Sequence, residues 1–283
     1  MTTSDPAGLL RHRVAADPAR PLVTFYDDAT GERIELSART FDNWVAKTAN
    51  LLVDGLAAEP GTPVVLVLPP HWQTAVWLMA CWTAGAVAVP VWDAAGGGPA
   101  ALAEAAGPAV TGGDSGDYIV VAAEEALADA LAAFPDAAEV VGLSLHSLGG
   151  PLAAVPGGVT DYAAEVRGYG DRFAAATPIN PDEPALVMTK ITYSGAELVR
   201  EARAAAAKWE LDVQDRLLVD MPFVTWDGLL AGLLAPLISG SSAIIQRNPD
   251  EARRERRIAL ENVTAVAGAA GWNDASGSVR RLP

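Results

Sequence analysis

The sequence predicts an α/β fold: two successive doubly wound, mostly parallel βα layers with a short N-terminal hairpin. Three observations carry that expectation. Continuous β-branched runs such as Val64 to Leu68 suit strands buried on both faces of a parallel sheet. Apolar residues at helical spacing follow most of these runs. Strand and helix then alternate along nearly the whole chain, an order that gives parallel sheets joined by right-handed crossovers.

Composition narrows the function classes. The 283 residues are 51% hydrophobic and 19% charged, enough apolar material for a substantial core and too much for global disorder. A formal net charge of −15 opposes the basic surface that binds nucleic acid, and opposes anionic membranes for the same reason. The one cysteine, Cys81, makes no internal disulfide, and His12, His71 and His146 lack neighbours at zinc-ligand spacing. Asp5, Arg11, Arg13, Asp17 and Arg20 interrupt the start of the chain, leaving no apolar stretch of signal-peptide length; the cytoplasm is the expected compartment. The most apolar run, Val76 to Trp92, is short for a membrane span and contains Gly85 and Pro90.

The elements follow in order. Pro21 to Glu35 reads as two strands around a Thr30-Gly31 turn. Thr40 is the expected N-cap of a helix whose apolar face is Phe41, Val45, Ala49, Leu52 and Leu56, stopped by Pro60-Gly61. Strand Val64 to Leu68, helix Trp72 to Ala84 and strand Ala86 to Val91 come next. Past Gly96-Gly97-Gly98 the pattern gives a small helix, apolar stretches around Ala109, Ile119 to Ala122 and Val140 to Leu143, and a helix from Glu124 to Phe134. A proline-rich connection from Ala174 to Pro184 sets the expected boundary. A first α/β subdomain then covers 1–176, with an N-terminal helix and the hairpin; a second covers 177–270, and a tail 271–283. The second holds strands Ala185 to Met188, Arg216 to Val219, Ala243 to Gln246 and Val263 to Ala267, with helices Ala196 to Trp209, Trp226 to Ala235 and Asp250 to Leu260 between them.

Two stretches carry candidate chemistry. Strand Ala185 to Met188 runs through Thr189, Lys190, Ile191, Thr192 and Tyr193 into a helix at Ser194-Gly195, the place where α/β proteins hold phosphate on free N–H groups. No glycine occurs from Asp171 through Ser194, so close backbone approach to a phosphate is opposed. Ser194 and Glu197 also spell a capping box that accounts for both without a ligand, and Lys190 reads as a solvated lysine or a point charge for an anion. Met221 to Gly228, with Pro222, Phe223, Thr225 and Trp226, mixes aromatic and polar groups as a small-molecule pocket wall does, although core packing with a Thr225 or Asp227 cap is the favoured explanation. Arg253, Arg254, Arg256 and Arg257 alternate with acids and are expected on a solvated helix face.

Read together, several segments resemble the first half of the large domain of adenylate-forming (AMP-binding) enzymes, the acyl-CoA synthetase, luciferase and peptide-synthetase adenylation family. Trp82-Thr83-Ala84-Gly85-Ala86-Val87-Ala88-Val89-Pro90-Val91-Trp92-Asp93 is similar to the family's L-x-A-G-A-x-x-V-P-x-D segment. Thr40 to Trp44 resembles T-Y-x-E-L, Pro60 to Val64 the G-D-x-V entry, and Met221 to Gly228 the L-P-x-F-H-x-x-G stretch of the acyl pocket. Leu234 to Gly240 resembles L-x-x-P-L-x-x-G, and Glu261 to Thr264 the E-x-x-V-T entry.

The departures bear on function. Where the family has T-S-G-T-T-G-x-P-K-G, this chain has Thr189 to Tyr193 and then Ser194-Gly195; Thr225 stands at the pocket histidine. The Y-G-x-T-E and T-G-D segments and the small lysine-bearing domain have no counterpart, although Tyr169-Gly170-Asp171 mimics fragments of them. The resemblance therefore implies an incomplete, degenerate relative without a catalytic residue or metal ligand. Such a relative binds a small acyl or nucleotide ligand or a protein partner, a second copy included. ATP, AMP and magnesium enter only through the family. Two alternatives stay open: one half of a split ATP-dependent acid–CoA ligase completed by another chain, and a purely structural or interaction protein.

Overall fold

The computed structural model describes residues 3–93, 96–107, 110, 117–146, 149–188, 190–269, 271–274 and 277–282. In chain order the strands are β1 (Pro21–Asp27), β2 (Glu32–Ser37), β3 (Pro63–Val67), β4 (Val87–Pro90), β5 (Ile119–Ala123), β6 (Glu139–Leu143) and β7 (Val159–Asp161). They continue with β8 (Pro184–Met188), β9 (Ile191–Ser194), β10 (Arg216–Val219), β11 (Ser242–Arg247), β12 (Ala265–Ala267) and β13 (Arg280–Leu282). The chain divides into two units: Met1–Asp42 with Pro70–Ala75 and Leu198–Pro283, and Asn43–Pro69 with Val76–Glu197.

In the first unit the described residues build a sheet in the order β13-β12-β10-β11-β1-β2. All neighbours are parallel except the β1–β2 hairpin, whose turn carries Gly31 at φ +78°. Leu22, Val23 and Phe25 are buried, so β1 is an interior strand, placed beside β11 with Val23 opposite Ala243. One face packs Leu218, Ile244 and Val266 against Ile258, Val263 and Trp272. Asp5 caps helix Pro6–Ala16 by accepting from the Gly8 N–H at 2.7 Å, with Pro6 in the first turn where no N–H is needed.

In the second unit the order is β7-β6-β5-β3-β4-β8-β9. Val64 to Val67 of β3 are wholly buried, as an all-apolar central strand requires. The core on one side gathers Val65, Val67, Val120, Ala122, Leu127 and Phe134. Trp77 packs on Tyr162 at 5.3 Å between ring centroids, and the Tyr162 hydroxyl meets Thr48 Oγ1 at 2.7 Å, which satisfies a polar group that burial would otherwise penalise.

The α/β class and the parallel sheets match expectation, and four details differ. The helix expected from Thr40 spans Ala38–Asn50, because Ser37 Oγ accepts from the Thr40 N–H at 3.1 Å and takes the capping role one turn earlier. The boundary expected at 176/177 falls inside one unit: β8 joins the sheet of β3 and β4, while the N-terminal hairpin completes the other sheet. The C-terminal stretch expected as a tail contributes β13, parallel to β12 with Val266 opposite Arg281. Residues 191–194 form β9, where a loop was expected. Ala109 lies outside the described residues.

Candidate functional site

The expected phosphate-loop remnant lies at the end of β8, in the second unit. Thr189 is outside the described residues. Strands β8 and β9 pair antiparallel, with Leu186 opposite Tyr193, Val187 opposite Thr192 and Met188 opposite Ile191. Only positions 189 and 190 separate the last paired residues. Lys190 has φ +66° and an exposed side chain; positive φ is what the tightest hairpin connections demand. Thr192 is a ladder residue with its side chain in solvent. The alternating Ile191-Thr192-Tyr193 suits a strand, and it pairs along its length with β8.

Gly195 opens helix Gly195–Lys208, and the capping box at its start is closed in both directions. The Glu197 carboxylate accepts from the Ser194 N–H at 2.9 Å, and Ser194 Oγ accepts from the Glu197 N–H at 3.2 Å. The helix start thus already holds an anionic group of its own, which interacts favourably with the helix dipole.

Pro222, Phe223, Thr225 and Trp226 lie in the first unit, at the carboxyl end of β10. The Thr225 N–H returns to the Pro222 carbonyl at 3.1 Å, making a tight turn. Thr225 Oγ1 also donates to that carbonyl at 2.9 Å and accepts from the Gly228 N–H at 3.2 Å, capping the helix at Trp226. A Cβ on Gly228 would stand 2.2 Å from the Pro222 oxygen, so glycine is the residue that lets the turn close. Phe223 is buried against Gly232, Thr225 is exposed, and Pro222 and Trp226 are half-buried. The Thr225 cap and a core role for Phe223 both hold.

Strand order reverses around β10: the chain passes from β10 to β11 on one side, then to β12 on the other. Ligand crevices in open α/β sheets form outside the carboxyl ends of strands at such a point. Here Asp220 follows β10, its N–H bonded to the Ala267 carbonyl at 3.0 Å, and Gly268 follows β12 at φ +84° beside Met221.

The arginine-rich helix Glu251–Leu260 faces these ends and corrects the solvated-face expectation. Arg254 and Arg257 are buried, while Arg253 and Arg256 are exposed. Arg254 bonds Asp220 at 3.1 Å. Arg257 bonds Gln246 of β11 and Asp28 just after β1, and lies over the Tyr26 ring at 4.2 Å. One helix therefore grips the carboxyl ends of three adjacent strands. The spacing contains the signal: Arg254, Arg257 and the buried Ile258 fall on one helical stripe. Burial pushes the Asp220 carboxyl above its ordinary range, and Arg254 only partly offsets this. For Asp28 burial acts upward too, but the bonds from Arg257 and the Asp250 N–H prevail and hold it below the usual range.

Other singled-out residues are structural. Gly170 O accepts from Asn50 at 2.9 Å, pinning the Tyr169-Gly170-Asp171 segment to helix Ala38–Asn50. His71 Nδ1 accepts from the Gln73 N–H at 3.2 Å at the start of helix Trp72–Ala84, its ring edge-on to Phe25 at 4.3 Å. Burial drives its pKa well below the usual imidazole value. Cys81 is wholly buried and its thiol pKa is raised by that burial. Among the described residues no group of three or more His, Cys, Asp or Glu is arranged for a metal ion, and no helix is long and apolar enough to cross a membrane.

Comparisons with known proteins agree with this architecture. The family model described as AMP-binding enzyme matches residues 10–271. A relative from Mycobacterium tuberculosis is 39% identical over 267 residues, covering 93% of this chain and 98% of that protein. Among solved structures, the acyl-CoA synthetase of Brucella canis superposes with a TM-score of 0.74 at 17% identity, over 94% of this chain and 48% of its own. The N-terminal domain of FACL13 from Mycobacterium tuberculosis gives 0.71 at 17% identity, over 94% and 63%. The anthranilate CoA ligase AuaEII, solved with anthranoyl-AMP, gives 0.72 at 14% identity, over 93% and 48%. At such identities the solved structures speak for the fold alone, and the chain spans about half to two thirds of their length.

Proposed function

The chain belongs to the AMP-binding enzyme family, and from that premise we propose that it is a binding member of the family that forms no acyl-adenylate by itself. The observation that carries this reading is the β8–β9 hairpin: Met188 faces Ile191 across a ladder where the family places its phosphate loop. A nucleotide polyphosphate needs several free N–H groups on a glycine-rich turn. Here the two strands pair up to Met188 and Ile191, leaving two positions between them and no glycine-rich turn, and the helix start is occupied by the Ser194–Glu197 box. The residues present do not fit ATP with magnesium. The surface favoured for a ligand is the carboxyl end of β10, where Thr225 is exposed and Trp226 half-buried beside the buried Phe223. A small acyl group is the chemistry that such a mixed apolar and hydroxyl wall accepts. The reading keeps the cytoplasm as the compartment.

The experiment is pyrophosphate exchange with ATP, magnesium and a panel of carboxylic acids, run beside thermal shift with dodecanoate, AMP and ATP. Exchange at the level of a no-enzyme blank is expected, together with a rise in melting temperature for dodecanoate and none for ATP. Exchange clearly above the blank sinks the proposal. A second reading takes this chain as one half of a split acid–CoA ligase, and is favoured by the 48% of an acyl-CoA synthetase that it spans. It predicts exchange that appears only when a second polypeptide carrying the remaining family segments is added.

A further inference from the structure

We propose that Arg254 and Asp220 form a positioning pair that sets the Met221–Trp226 wall, separately from the structural grip that Arg257 exerts on Asp28. The inference rests on the reading of that wall as a ligand surface. Three features carry it. First, the pair sits where strand order reverses: Asp220 is the first residue beyond β10, and Met221-Pro222 leave directly from it. Second, Asp220 is fixed from two sides, through its N–H to Ala267 at 3.0 Å and through its carboxylate to Arg254 at 3.1 Å. Its carbonyl lies so close to Gly268 that a Cβ there would stand 2.7 Å away, and 2.0 Å from Met221 Cγ. The first residue of the wall thus has little freedom other than what the ion pair permits.

Third, the charge is not needed to hold helix to sheet. The Arg254 and Asp220 side chains are 9% and 20% exposed, and a buried ion pair contributes little stability beyond what apolar packing supplies. A directional bond instead selects one geometry. The same helix already anchors itself three residues on, where Arg257 meets Gln246 and Asp28 and covers the Tyr26 ring. Two buried arginines on one stripe thereby have different duties. Arg257 ties the helix to β11 and β1, and Arg254 reaches past the strand end to the loop.

The test compares four variants of the full chain by backbone hydrogen exchange and by dodecanoate titration. Asp220→Asn and Arg254→Met are expected to speed exchange at residues 223–226 at least tenfold and to weaken dodecanoate at least tenfold, while β3 and β11 keep wild-type protection. Arg254→Lys restores both, because the contact is a single bond to one carboxylate oxygen that an ammonium also reaches. Asp28→Asn, which breaks the sister pair, lowers melting temperature and leaves exchange at 223–226 unchanged relative to β10. Equal loosening of 223–226 in Asp28→Asn and Asp220→Asn, or none in Asp220→Asn and Arg254→Met, overturns the proposal. If Asp220→Asn or Arg254→Met does not fold, Arg254→Gln and Asp28→Asn decide it: faster exchange at 223–226 in the glutamine variant alone supports the positioning role, and equal loosening in both variants, or none in the glutamine variant, overturns it. A wall that loosens as expected in a wild-type protein that binds no dodecanoate leaves the positioning pair standing and removes the acyl-ligand reading instead.

Discussion

Glu261 shows how this chain places charge inside a sheet edge. It accepts from Arg33 Nε at 2.9 Å and also from Tyr26 and Arg216, and its side chain is 9% exposed. Burial alone would raise its pKa; the bonds from Arg33, Tyr26 and Arg216 overcome that and lower it from 4.5 to about 2. A carboxylate with a depressed folded pKa stabilises the protein above its unfolded pKa, and that contribution fades as pH falls from about 4.5 to about 2. Wild-type stability should therefore drop across this window, and Glu261→Gln should flatten the drop while lowering stability at neutral pH; urea titrations at several pH values measure it. Gly268 makes a steric statement of the same kind. With φ +84° and Met221 Cγ 2.0 Å from a would-be Cβ, Gly268→Ala should destabilise by about 1–3 kcal/mol in denaturant titration. Of the residues that matter here, the Ser194–Glu197 box and the Thr225 cap are legible from spacing alone. Asp220 with Arg254 is not, because the pair joins a strand end to a helix 34 positions away.

Among elements, helix Trp72–Ala84 and strand β10 fall where their apolar runs put them, because each is apolar enough for its composition to outweigh context. Strand β9 escapes such reading. Its four residues Ile191 to Ser194 are too few to show a period, and only pairing with β8 makes them a strand. Its turn is a local cost: Lys190 at φ +66° occupies a conformation that side chains other than glycine adopt with strain of about 1 kcal/mol. Lys190→Gly should raise stability by a few tenths of a kcal/mol up to about 1, less the flexibility that glycine adds to the unfolded chain. A lower urea midpoint for that variant would argue against a strained turn. Helix Glu251–Leu260 teaches the converse. Its acids and arginines look solvated in sequence, and only the sheet beside it shows which arginines lie within reach of Asp28 and Asp220.

At the scale of the molecule, proline-rich connections mislead about boundaries because the two units are interleaved. β1 and β2 come first in the chain yet complete the sheet of β10 and β11, and β8 with β9 completes the sheet begun by β3. A fragment of residues 177–283 would carry β11 without its parallel neighbour β1, and β8 without β4. Circular dichroism of that fragment should show an unfolded chain, whereas the intact protein melts cooperatively; a folded fragment with protected amides would contradict the interleaving. The pairing of Val23 with Ala243 also has a consequence for synthesis. At the ribosome's usual pace of about 5–20 residues per second, the greasy strand β1 emerges roughly 10–40 s before its mate exists. For that interval the nascent polypeptide is a natural client for holding chaperones, and its yield in a cell should depend on their supply more than on its final stability.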